Sequence, residues 1–129
     1  MDSNNMEQTK ASIKNVQKNI EMFLTGEALP LSALPNLGKL ELEALRELKD
    51  AADTGLMIMS VRFSDLAVAM DTGDPELIEA ANNKCIIATT ESRTTSYPYK
   101  AEYNRLKRTS GNQTTFKSIV RDIFNNFKQ

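Results

Sequence analysis

Apolar positions recur at helical spacing along most of the chain. Over residues 5–25, Met6, Thr9, Ile13, Val16, Ile20 and Phe23 follow alternating steps of three and four, the a/d seam of a heptad. Ser3 or Asn4 can cap this helix, and Gly26 stands where a terminating glycine belongs. So narrow a seam has two uses. It packs onto the rest of its own domain, or it joins copies of the chain through Met6, Ile13, Val16, Ile20 and Phe23.

Residues 27–38 interrupt the pattern with Pro30, Pro35 and Gly38, between which stand Leu29, Leu31, Leu34 and Leu37. Proline removes a backbone donor, so the segment is predicted to be an extended linker. Its leucines predict packing onto a helix, because a free tether is not leucine-rich. A docking segment for a partner is the other reading.

Over residues 39–70 the stripe is Leu45, Leu48, Ala52, Leu56, Met59, Phe63, Leu66 and Met70, broadened by Leu40, Ala44, Val61 and Ala67. This predicts one long helix or two short ones. Gly55 costs about 1 kcal/mol relative to alanine in a helix and marks the place for a kink. Glu41, Glu43, Glu47, Asp50 and Asp53 fall mostly off the stripe, as a solvated face would. The run Asp-Thr-Gly-Asp-Pro-Glu at 71–76 then reads as a stop and a start. Gly73 closes one helix, Asp74 caps the next, Pro75 occupies its first position, and Glu76 favours the positive end of its dipole.

Residues 75–90 continue with Leu77, Ile78, Ala81, Cys85 and Ala88 on one stripe and Ile86 and Ile87 beside it. Cys85 reads as a small buried hydrophobe. The Thr- and Ser-rich run 89–99, with Pro98 between Tyr97 and Tyr99, predicts a loop. A short helix over 100–108, a turn at 109–114 around Gly111, and a last helix over 115–127 complete the chain. The pattern contains no convincing strand. The expectation is a single all-α domain, a compact bundle of four to five helices. It comprises a heptad-patterned helix (1–26), a Leu/Pro linker (27–38), an acidic helical core (39–91) and basic C-terminal helices (92–129).

Composition changes the picture mainly by exclusion. The 129 residues suit one domain and include no histidine, no tryptophan and a single cysteine. Ser–His–Asp and Cys–His catalysis cannot be built within one such chain, nor can a zinc ligand set. Carboxylates could still hold magnesium, but spacing places no pair of them in a cleft. The expectation is therefore a protein that is not an enzyme, with no metal and no cofactor. The longest apolar run, 56–59, is far short of the roughly 20 residues that cross a bilayer. With one cysteine and no signal-like start, the expected location is cytoplasmic, with no membrane partner.

The net charge of −1 hides a division. Residues 1–91 hold 8 Lys and Arg against 15 Asp and Glu, whereas residues 92–129 hold 8 against 2. All three tyrosines fall within the basic part. Arg93, Tyr97, Tyr99, Lys100, Tyr103, Arg105, Lys107, Arg108, Lys117 and Arg121 form the candidate nucleic-acid-binding set. Cations neutralise phosphates, and aromatic rings stack on exposed bases. Three other readings compete: Tyr99 and Tyr103 form the core face of a helix, the cations pair with the acidic stretch, or they meet an acidic protein surface. A helix-turn-helix over 100–127 fits poorly, since Lys107 would stand where a small apolar residue packs. The sequence thus points to a non-catalytic, homo-oligomeric nucleic-acid-binding protein. The alternative is a small regulatory adaptor or inhibitor that binds a protein, which the pI of about 5.5 favours.

Overall fold

The computed structural model describes residues 3–34 and 36–127, with side chains described over 5–34 and 36–109. Helix α1 spans Ser3–Thr25, α2 spans Lys39–Thr72 and α3 spans Pro75–Phe127, with a 3-10 turn at Leu31–Ala33. No strand occurs among the described residues. The all-α class holds, but the described residues form three α-helices, not four to five.

The reduced count has a physical cause in the segment expected to be a loop. Thr89, Thr90, Ser92, Thr94 and Thr95 each turn their hydroxyl back to a carbonyl three or four residues earlier, at 2.7–3.2 Å. Such bonds let Ser and Thr sit inside a helix that tertiary packing favours. Ser92 and Ser96 are buried, and Tyr99 and Tyr103 are 1% exposed, so the helix gains a packed face through this stretch. Pro98 lies within α3 at an exposed position, where water can solvate the carbonyl its missing N–H leaves free. The turn expected at 109–114 is also helical backbone.

α2 and α3 form an antiparallel hairpin, closed as the sequence predicts. Gly73 takes a left-handed conformation (φ 70°) that ends α2. The Asp74 carboxylate accepts the Glu76 N–H at 2.9 Å, and the Asp74 carbonyl accepts the Ile78 N–H. Gly55 makes no break in α2. A Cβ there would overlap the Thr95 hydroxyl and lie 3.3 Å from the Ser92 Cα, so glycine is what lets α3 come this close.

α1 lies along the hairpin, antiparallel to α2. Its Ile13 joins Leu66, Met70 and Cys85 in one cluster, with Met6 packed against it. Its Phe23 joins Leu34, Leu45, Ala52, Tyr99, Tyr103 and Leu106 in a second. Leu29, Leu31 and Leu37 pack on this second cluster, and Tyr103 donates a hydrogen bond to the Pro30 carbonyl. The Leu/Pro segment is therefore a strap held to the core. Its bend places Leu29 at φ 56°, an unusual value for a residue with a Cβ.

Candidate functional site

The heptad seam of α1 is occupied by the protein's own core. Ile13, Ile20 and Phe23 are buried, and Met6 and Val16 are half-buried. This corrects the expectation of an oligomerisation face there: pairing copies through these residues would require stripping α1 from the hairpin. Gln17 anchors the helix as well, donating to the Ser60 carbonyl at 3.0 Å and to the Ser64 hydroxyl at 2.7 Å.

The basic, tyrosine-bearing set divides in the same way. Tyr99 and Tyr103 are core residues and cannot stack on a base. Tyr99 meets Phe23 edge-on at 5.4 Å between ring centroids. Burial raises the pKa of both phenols, with Tyr103 and Asp53 pushing Tyr99 further up. Arg105 is engaged by Glu102 on its own helix, through both Nε and a terminal nitrogen. That hydrogen bond holds the Glu102 carboxyl below its usual value and raises Arg105. Lys117 and Arg121 lie outside the residues whose side chains are described.

Arg93, Tyr97, Lys100, Lys107 and Arg108 remain, all exposed. At 3.6 residues per turn they share an arc of about 100° on α3. Tyr97, at 72% exposed, stands among the cations, and no carboxylate of residues 93–109 falls within the arc. Among the described residues, the ion pairs are Lys10–Asp71, Lys49–Asp53, Arg62–Asp65 and Arg105–Glu102, and none uses these four cations. Lys100 leans toward α1, with its ammonium 5.9 Å from the centroid of the Phe23 ring. There it stands with Val16, Ile20, Leu29 and Leu56 around a cleft of about 410 Å³.

A second exposed face was not foreseen. On α2, Leu40, Glu43, Glu47, Asp50, Thr54, Met57, Val61, Ser64 and Val68 follow steps of three and four, and all are exposed. Met57, Val61 and Val68 are each more than half exposed. Leu40 and Val61 therefore do not broaden the buried stripe as the periodicity suggested. They belong to a separate apolar and acidic seam on the far side of the helix. The signal was present in the sequence, since Met57, Val61 and Val68 fall at i, i+4 and i+11. On α3, Leu77, Ile86 and Ile87 are likewise more than half exposed. Asn83, Ile86, Thr90, Arg93, Tyr97, Lys100, Asn104 and Lys107 form an exposed heptad seam of their own.

Cys85 is buried, and its Sγ donates to the Arg62 carbonyl at 3.1 Å. Burial raises its pKa, followed by Asp65, against a lowering by Arg62, so the thiolate is disfavoured. Among the described residues, no group of three or more His, Cys, Asp or Glu could hold a metal ion. Nor is any helix among them long and apolar enough to cross a membrane. The arrangement as a whole leaves two exposed faces: one acidic and apolar on α2, one basic on α3. Comparison of the chain with protein-family models, curated proteins and solved structures returns no match.

Proposed function

We propose that this chain is a non-catalytic protein-binding module whose α2 seam docks a basic amphipathic helix. The observation that carries this reading is the exposure of Met57, Val61 and Val68 at heptad spacing on a long unbroken helix. A contiguous exposed apolar stripe on a small domain marks an interaction surface. Apolar anchors at such intervals are how one helix seats another. Glu43, Glu47 and Asp50 continue the stripe and take part in none of the ion pairs among the described residues. They select a partner with lysine or arginine beside its apolar face.

A synthetic helical peptide with leucine at a and d and lysine beside them is the direct probe. Titration should give saturable binding that Val61→Glu abolishes while circular dichroism remains unchanged. An equally strong response to the same peptide with glutamate in place of lysine would refute the reading.

The basic arc of α3 favours a second reading, contact with the sugar–phosphate backbone of nucleic acid. Arg93, Lys100, Lys107 and Arg108 would supply the phosphate contacts and Tyr97 a single stacking platform. On mixed-sequence DNA and RNA, affinity should fall steeply with salt. Reversing Arg93, Lys107 and Arg108 together should remove binding. Unchanged binding by that variant at low salt would eliminate this reading.

A further inference from the structure

We infer that the partner helix is α3 of a second copy of this chain, so that the acidic seam of α2 on one molecule packs on the basic seam of α3 on the next. The inference rests on the protein-binding reading above and names its occupant. Three observations lead to it.

Set antiparallel, the two seams match over their central stretch. With Val61 beside Ile86, Met57 falls beside Thr90, Glu47 beside Lys100, and Asp50 beside Tyr97. Over this stretch Val61 and Met57 meet isoleucine and threonine and Glu47 meets an ammonium, whereas at the ends Leu40 meets Lys107 and Val68 meets Glu79. The phenol of Tyr97 can donate to the carboxylate of Asp50. Each of these residues is exposed within its own molecule. Both seams keep the alternating three-and-four spacing that allows two helices to interlock side chains over several turns.

The charge pattern provides the selectivity. In a pairing of α2 with another α2, the acidic half meets carboxylates when the helices run parallel and the half from Met57 to Val68 when they run antiparallel, and it meets no cation of the seam in either. In a pairing of α3 with α3, the cations meet one another or polar residues. Only the mixed pairing brings opposite charges together, and it does so at the same end where both seams change from apolar to charged. This complementarity between an acidic and a basic seam suppresses the wrong partners and fixes register.

The geometry also sets the symmetry. The α2 seam faces away from the buried stripe of Leu45, Ala52, Leu66 and Met70, and hence away from α3. The α3 seam is turned away from the residues that pack against α2, among them Ser92, whose neighbour across the hairpin is Met59. The seams thus lie on opposite edges of the hairpin, and one copy cannot close both on a single partner. The contact is head-to-tail, and it builds a ring or an open chain instead of a closed dimer.

Sedimentation of the full chain tests this. The wild type should show a mass that rises with concentration beyond that of a dimer, and added salt should lower it. Val61→Glu blocks one seam and Ile86→Glu the other; both sites are exposed, and circular dichroism checks that the fold survives. Each variant alone should still build nothing larger than a dimer's precursor, the monomer. An equimolar mixture should give a species of twice the monomer mass and no larger, because the intact seam of each variant fits the intact seam of the other. A wild type that stays monomeric at millimolar concentration overturns the inference, as does a mixture that stays monomeric. Self-association of Ile86→Glu equal to wild type overturns it too, since that result would mean α2 pairing with α2. If the wild type is monomeric and still binds the lysine-bearing peptide, the self-assembly fails while the protein-binding reading stands.

Discussion

The phenol of Tyr103 donates a hydrogen bond to the carbonyl of Pro30 at 2.7 Å, tying α3 to the strap that joins α1 to α2. Tyr99, one helical turn earlier, has a buried hydroxyl with no hydrogen-bond partner among the described residues. The two tyrosines share one core cluster and differ in whether the hydroxyl is satisfied. Tyr103→Phe should therefore cost about 1 kcal/mol of unfolding free energy, the usual worth of one net hydrogen bond. Tyr99→Phe should be neutral or stabilising, because it removes a desolvated polar group while keeping the ring. Urea denaturation of both variants checks the order, and a larger loss for Tyr99→Phe would contradict it.

Gly55 provides a test of helix packing against helix propensity. Alanine at this position in an isolated helix would gain about 1 kcal/mol. Here the added methyl meets Thr95 and the backbone of Ser92, and overpacking of this kind costs about 1–3 kcal/mol. Gly55→Ala should lower the melting temperature. The double variant Gly55→Ala/Thr95→Ala should recover part of the loss, because it removes the hydroxyl that the added methyl would overlap.

Burial of Cys85 predicts its reactivity. The folded protein should resist a thiol reagent such as Ellman's at neutral pH, and unfolding in denaturant should release one reactive thiol per chain. Labelling of the folded chain at the rate of a free cysteine would contradict both the burial and the bond to the Arg62 carbonyl.

The Arg105–Glu102 pair predicts a pH dependence with a defined sign. The Glu102 carboxyl has a lowered pKa in the folded chain, chiefly through its hydrogen bond from Arg105. Its contribution is complete above the ordinary carboxylate value and is lost as pH falls through the lowered value. Arg105→Gln should therefore be slightly less stable than wild type near neutrality and equal to it in strong acid. Arg105 is exposed and Glu102 half-buried, so the difference should shrink with added salt.

Local chemistry alone determined several features of this protein. The cap at Asp74 and the stop at Gly73 follow from residue types whose backbone preferences do not depend on distant contacts. The buried stripe from Leu45 to Met70 follows from periodicity, because a helix has one geometry. Tertiary structure decided the rest. Thr89 to Tyr99 has weak helix propensity, and it is helical because Ser92 and Tyr99 find packed partners in α2. Gly55 reads as a weak point in one helix, and its role emerges only when a second helix passes beside it. Phe23 and Tyr97 fit equally well, on paper, a core or a contact face. Burial assigned Phe23 to the core and left Tyr97 in water, since which side of an amphipathic helix is already occupied depends on the neighbours that the folded chain supplies.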